Sequence, residues 1–526
     1  MLLSRRAATA VAANSSLSCC SRHSLLIFSL YSFNDDFSHL NLNKAYIDKI
    51  APYLSNLGPY PPNSKYINKH HFYHNTTLDF WLAKKPHPMT LRQLVYYGKK
   101  LNKDKILASA NFVREEIPIR IAYKIKELQL KPFSVINNYH LVQVYESYYG
   151  IFEQFRKIKT ISNLEENEHF CSILQNLLRL NLLNLPHIMM GALECSISQN
   201  LSQRDLDDFM SSMLRSRISR RIIAEEHLSL TDKYNFSKDP NYKSKSKSKS
   251  KSNDNNNNDN NDNNDNNEFF GDLFVKLSAK ENLQYCGELA LNFTKSLYPN
   301  DYLMPNLIIE GKDIIFQFVP THLRYLFGEI LRNSYEETMI NFVNKNLSNF
   351  QKNQDFFKQN KPPPITVTII NNKENILFRF SDQGGGLKNN IPIEKIWSFG
   401  KNPKFAKQSL MNFHKLPGLD LATNYFDLET NIHSSMNSNL HIQRKKSKVE
   451  INQLSSTSIP VESSLVKLIK RPLNFKLGLG LPMCKVYAEY WNGDIKMNCL
   501  NNYGTDIYLK LRKLNSLNEK PQLDRA

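Results

Sequence analysis

The chain has 526 residues, 41% of them hydrophobic, and a formal net charge of +19. That length allows two domains with additional segments, and the apolar share suits a globular protein. The chain lacks any apolar run approaching the roughly 18 residues a membrane-spanning helix needs, so no transmembrane segment is expected.

The positive charge is spread over an N-terminal segment, a Lys-Ser run at residues 243–252 and the stretch Arg444-Lys-Lys-Ser-Lys448. It reads as tails, inserts and solvated faces, and no nucleic acid is expected as a partner. The cysteines are scattered with no Cys-x-x-Cys, so neither a disulfide framework nor a zinc site is expected. The segment before Asp35 carries Arg5, Arg6 and Arg22, many Ser and Ala, and no acidic residue. Residues 1–35 therefore have the composition of a mitochondrial presequence, the alternative being a disordered basic terminus.

Residues 40–235 are predicted to be mostly helical. Apolar residues recur at helical spacing in Leu91-Arg-Gln-Leu-Val-Tyr-Tyr97 and in residues 112–122, 173–183 and 209–223. Pro118 is expected to cap or kink its helix. An N-terminal bundle of long antiparallel helices is the simplest arrangement. Residues 241–268, a Lys-Ser repeat followed by an Asn/Asp tract, have nothing to bury and are expected to be disordered.

Over residues 270–515 the periodicity changes. Strand pairs are predicted at 307–310 and 314–318 around Gly311-Lys-Asp313, at 365–370 and 376–380, and at 494–500 and 505–511, each as a hairpin. Helices are predicted at 322–344 and 483–491. The fold class is thus α+β with two domains, the second an α/β sandwich with a mixed, largely antiparallel sheet. Long crossovers suited to a Rossmann or P-loop domain are missing. Residues 400–475 are largely polar and irregular and read as a lid enlarged by an insertion.

Three short motifs carry the chemistry. In Glu329-Ile-Leu-Arg-Asn333 a carboxylate and an amide share one helix face. An Asn oxygen is a suitable hard ligand for magnesium, and a carboxylate can accept a proton from a nucleophile. In Ser381-Asp-Gln-Gly-Gly-Gly386 a strand ends in Asp382, which can accept a hydrogen bond from an adenine amine, ahead of glycines that let backbone approach a ligand. In Gly478-Leu-Gly-Leu-Pro482 a glycine loop opens a helix whose N-terminus favours phosphate. Singly each has a bland reading, as a solvated helix face, a turn or a tight loop. Together and in this order they describe a pocket for ATP and Mg2+.

These motifs resemble the ATPase superfamily of gyrase, MutL and histidine kinases. Within it, the chain resembles the mitochondrial kinases of pyruvate dehydrogenase and branched-chain 2-oxoacid dehydrogenase. The likeness extends to Phe112-Val-Arg-Glu-Glu-Ile-Pro-Ile-Arg120, to Arg215-Ser-Arg-Ile-Ser-Arg-Arg-Ile-Ile223 ahead of His227, and to Tyr503-Gly-Thr-Asp-Ile-Tyr-Leu-Lys-Leu511.

The resemblance implies that Asn333 holds magnesium, that Asp382 binds adenine, and that Gly384, Gly386, Gly478, Leu479, Gly480 and Leu481 shape the ATP pocket with Thr505 on its adenine side. Glu329 would be the general base toward a substrate serine. Glu336 stands where the family has a phosphate-contacting Arg, so a lysine such as Lys401 or Lys485 is expected to compensate its charge. Tyr325 stands where these kinases carry a His. By the same resemblance the protein is a matrix serine kinase that inactivates the decarboxylase of pyruvate dehydrogenase or, alternatively, of the branched-chain complex. It would dock lipoyl domains of the acyltransferase core and form a homodimer, or a heterodimer with a related kinase. A weakly active ATP-binding scaffold and a histidine kinase are the readings from other classes.

Overall fold

A computed structural model describes residues 75–88, 101–136, 138–199, 201–238, 273–387, 392–414, 464–471 and 475–513. The expected presequence, the helix expected at Leu91–Tyr97, the 241–268 tract and most of the segment expected as a lid at 400–475 lie outside them. The described residues belong to one compact unit that begins at Gly58.

The first part is helical. It comprises α1 (Thr76–Leu82), α2 (Lys103–Gln129), α3 (Tyr139–Phe155), α4 (Leu164–Leu180), α5 (Asn184–Ser198) and α6 (Gln203–Lys238). Asparagines start several of them: Asn75, Asn102 and Asn138 each accept backbone N–H groups of the first turn, at Thr77 and Leu78, Lys105, and Leu141. Helix α2 packs on α1, α3, α4 and α6, and α5 packs on α3 and α6. Pro118 was expected to cap or kink a helix; α2 neither starts nor stops there. A buried ion pair of Arg120 Nε with Glu116 Oε1, 2.7 Å long, spans that turn, and burial of the surrounding residues holds it.

The second part begins with β1 (Val275–Ser278) and α7 (Ala279–Lys295). It continues through β2 (Leu307–Glu310), β3 (Ile315–Phe318), α8 (Pro320–Lys345), β4 (Ile365–Asn371), β5 (Asn375–Asp382), α9 (Pro403–His414), α10 (Ser464–Ile469), α11 (Gly480–Tyr490), β6 (Asp494–Leu500) and β7 (Gly504–Arg512). Five strands form one sheet in the order β2-β4-β5-β7-β6; only β2 and β4 run parallel. The protein is therefore helix-rich with a mixed, mostly antiparallel sheet.

Register explains the sheet's two faces. Ile369 pairs Phe378, Phe378 pairs Leu509, and Phe380 pairs Ile507, so these buried side chains share one face. Helix α8 covers β5 there, and α11 covers β6 and β7. The opposite face shows Arg379 in an ion pair with Asp506 and leaves Ile370 exposed. Alternation of buried and exposed positions is what made β4 to β7 legible.

The predicted hairpins β4–β5 and β6–β7 are present. The hairpin around Gly311-Lys-Asp313 is not. Strand β2 pairs in parallel with β4, while β3 pairs with β1 in a separate two-stranded sheet. Gly311, at φ +97°, lies against the Ile369 carbonyl of β4. Asp313 accepts the Ser278 hydroxyl at 2.7 Å and the Lys280 N–H at 3.0 Å. The apparent turn is thus a joint between two sheets that also secures the start of α7.

Candidate functional site

Helix α8 is the spine of the site. Pro320 occupies its first turn, where a missing N–H costs nothing. His322, Tyr325, Leu326, Glu329 and Ile330 are buried, whereas Asn333 is half-buried. No described group hydrogen-bonds the Asn333 side chain, which leaves its amide free for a ligand.

The Asp382 turn docks on α8 one step further along. Ser334 donates its hydroxyl to Asp382 Oδ2 at 2.9 Å, and Gly384 N–H donates to Oδ1 at 2.9 Å. Burial pushes the Asp382 carboxyl up to about 6, against these hydrogen bonds, and Glu337 adds to the rise. A Cβ on Gly384 would press on Glu337. Gly385 and Gly386 adopt positive φ, and their turn exchanges backbone hydrogen bonds with Asn502 and Tyr503. Thr505 sits directly across from Asp382 in the β5–β7 register.

The second glycine loop meets the same helix from the other side. Gly478 has φ +69° and lies against the Phe405 ring of α9. A side chain on Gly480 would collide with the Glu329 carboxylate. Leu479 is buried, Leu481 half-buried, and no side chain caps the start of α11. The three motifs, distant in sequence, therefore converge on α8.

Two features were not foreseen. Arg471, just beyond α10, grips Glu329 with a bidentate fork: Nη2 lies 2.8 Å from Oε2, and Nη1 also contacts Oε1. Both side chains are almost fully buried. Burial works against the charged Arg471 guanidinium, but Glu329 outweighs it and raises the group above its ordinary value. Glu336 is compensated by Lys476, whose Nζ lies 2.9 Å away, and not by Lys401 or Lys485. Lys401 is instead pushed down to about 8 by burial near Asp207. No spacing rule in Lys470-Arg-Pro472 or Phe475-Lys-Leu477 pointed to either partner, because both pairings cross more than a hundred residues.

His322 accepts the Trp491 indole N–H at 3.1 Å, and burial, with Arg221 and Arg217, pulls it down to about 3. It is a neutral core histidine. Tyr325 donates its hydroxyl to Met483 Sδ at 3.5 Å and is raised by burial and Glu329.

Comparison with known proteins places the chain. Residues 88–253 match the family model for mitochondrial branched-chain alpha-ketoacid dehydrogenase kinase. The mitochondrial pyruvate dehydrogenase (acetyl-transferring) kinase 2 of Saccharomyces cerevisiae is 41% identical over 91% of this chain and 93% of its own. The corresponding kinase of Arabidopsis thaliana is 21% identical over 84% of this chain and 94% of its own. Isozyme 1 of Homo sapiens is 23% identical over 85% of this chain and 83% of its own. By these relatives the chain is a protein kinase. The chain belongs to the mitochondrial pyruvate dehydrogenase kinase family.

Proposed function

We propose that this chain is a mitochondrial matrix protein-serine kinase that uses Mg-ATP to phosphorylate and inactivate the decarboxylase of the pyruvate dehydrogenase complex. The observation that carries the reading is the convergence of Glu329, Asn333, the Asp382 turn and the Gly478–Gly480 loop on α8, in a chain 41% identical to the yeast kinase.

The residues fit the ligands such a reaction needs. Asn333 presents an amide with no described partner, a suitable hard donor to a magnesium ion that keeps other positions for water and phosphate. Asp382 would accept the adenine amine, with Thr505 beside it. Gly384, Gly386, Gly478 and Gly480 leave room where a Cβ would meet protein, and Leu479 and Leu481 flank Gly480 at the α11 N-terminus, which favours phosphate. Bound magnesium would neutralise phosphate charge. Glu329 would receive the proton of the substrate serine as its oxygen bonds to the transferred phosphorus. Glu336, held by Lys476, would not repel the nucleotide as a bare carboxylate would. Charge added to a substrate loop would switch the decarboxylase off.

The finer architecture belongs to the same proposal. Residues 1–35 would be the presequence, and 40–235 an antiparallel bundle that docks lipoyl domains. The 241–268 insert would be disordered, and 270–515 an α/β sandwich for ATP with its lid at 400–475. The active form would be a homodimer, or a heterodimer with a related kinase. A branched-chain decarboxylase is the second substrate to consider, because of the family model matched at residues 88–253.

The test offers labelled ATP, magnesium and each dephosphorylated dehydrogenase separately. Acid-stable serine label on the pyruvate enzyme, with matching loss of its activity, is expected. Label confined to the branched-chain enzyme would reassign the substrate. Transfer to neither, with nucleotide still bound, would leave a scaffold and not a kinase.

A further inference from the structure

A carboxylate that serves as a base must be ionised at working pH and must point one way. Glu329 is 1% exposed. A carboxylate so sealed from water takes up a proton unless a cation or donors hold it charged. The groups facing it come from three elements. Helix α8 brings Tyr325, Arg332 and Glu336; α11 brings Cys484; the turn after α10 brings Arg471. Burial holds the Cys484 thiol and the Tyr325 phenol in their neutral forms. Arg332 spends Nη1 on the Arg471 carbonyl, 2.6 Å away. The charge that meets both Glu329 oxygens is Arg471.

The placement of Arg471 is itself held. Its Nη1 donates to the Leu468 carbonyl at 2.6 Å, its own carbonyl is fixed by Arg332, and α10 packs on α8. Its Nε is buried with no hydrogen-bond partner, so the fork stays on Glu329 even though one donor goes unsatisfied. The Gly480 backbone closes the other side of Oε2.

We propose that Arg471 is a positioning residue for phosphoryl transfer: its guanidinium pairs the charge of the buried Glu329 carboxylate and fixes the direction of its two oxygens. This rests on Glu329 being the base. Tyr325, one turn before Glu329, faces the carboxylate but turns its hydroxyl to Met483 and donates no hydrogen bond to it.

Two readouts test it on the full-length protein. The first is the pH profile of transfer to the dephosphorylated decarboxylase. In Arg471→Met the acidic limb of kcat/KM is expected to move up by about 1–3 pH units, with at least a roughly tenfold loss near pH 6.5 and convergence on wild type at high pH. Binding of an ATP analogue should hold within about twofold, because Asn333 and Asp382 are untouched. Arg471→Lys keeps the charge without the fork, and its limb should fall between the two. The second readout is melting temperature against pH, which needs no substrate. Arg471→Met should gain stability over wild type as pH falls from about 8 to 6, because Glu329 then takes up a proton on folding, and adding Glu329→Gln should abolish that gain. Arg471→Gln repeats both measurements should the Met variant not fold. Variants that follow the wild-type curves in both, or that are faster at every pH, overturn the proposal. A wild type that transfers nothing while Arg471→Met shows the melting shift would fail the kinase reading and leave the assignment of Arg471 to Glu329 standing.

Discussion

Asp382 is pulled two ways, and the result can be measured. Burial pushes its carboxyl to about 6, above the unfolded value of 3.8. The folded chain therefore holds this proton more tightly than the unfolded one. The stability it contributes is complete below about pH 4 and is lost as pH rises through 6, a cost of about 2 kcal/mol at neutral pH once partial exposure is allowed for. Asp382→Asn is expected to melt above wild type at pH 7.5 and no higher at pH 4. The same proton governs ligand binding if the ionised carboxylate accepts the adenine amine. Adenosine, which carries no phosphate to titrate, should bind wild type less well as pH falls below 6 and bind the Asn variant weakly at every pH; a flat wild-type affinity would remove Asp382 from the adenine contact. Glu329→Gln should lower transfer by about 10²–10⁴-fold while an ATP analogue still binds, measured by initial rates and by calorimetry. These residues were legible because each lies in a short motif whose residue types state the chemistry. Arg471 and Lys476 were not, because a single basic residue carries no local sign of the distant carboxylate it meets.

Among the elements, the glycines of the β5 and β7 ends separate a structural demand from mere presence. A Cβ on Gly504 would run into the Asp382 carbonyl, directly where the register pairs Asp382 with Thr505. Gly504→Ala must part the two strands, and it is expected to destabilise the chain by about 3 kcal/mol or more and to lose adenosine binding with it. Gly150, inside α3, has nothing within 4 Å of its would-be Cβ. Gly150→Ala should instead stabilise by about 0.5–1 kcal/mol, by restricting the unfolded chain and favouring helix. Urea unfolding of the two variants side by side checks both, and equal effects would refute the distinction. The strand pairs β4–β5 and β6–β7 could be read from sequence because alternation and turn residues agreed. The pair across Gly311 was misread for the same local reason. Gly-Lys-Asp looks like a turn, but partners brought by β1 and β4 outweigh adjacency, and β1 is only four residues long beside a low-complexity tract. Helix α7 was missed, although Ser278, whose hydroxyl accepts the Glu281 N–H, starts it with a capping signal.

At the scale of the molecule, described residues join the helical part and the sheet part at two main places. Helix α6 packs on α11, where Arg215 Nη2 lies 2.5 Å from Glu489 Oε2. Helix α9 packs on α5, and Asp207 at the start of α6 accepts the Phe399 N–H at 2.6 Å, the Gly400 N–H at 3.3 Å and the Ser398 hydroxyl at 3.0 Å. Coupling at both places predicts one unfolding transition, and a ligand of the sheet part should then stabilise the helical part by the same amount. Mg-ATP at about a hundred times its Kd adds about 2.7 kcal/mol to whatever unfolds with the site. The chain supplies its own reporters, since its tryptophans are Trp81 in α1, Trp397, and Trp491 at the end of α11. A variant that keeps only Trp81 reads the helical part, and one that keeps only Trp491 reads the part beside the site. Nucleotide should raise the fluorescence midpoint of both by the same increment. A shift seen by Trp491 alone would mean that the two parts unfold independently. Asp207→Ala, by freeing the two backbone N–H groups it holds, should weaken the coupling and open a gap between the two increments that wild type lacks.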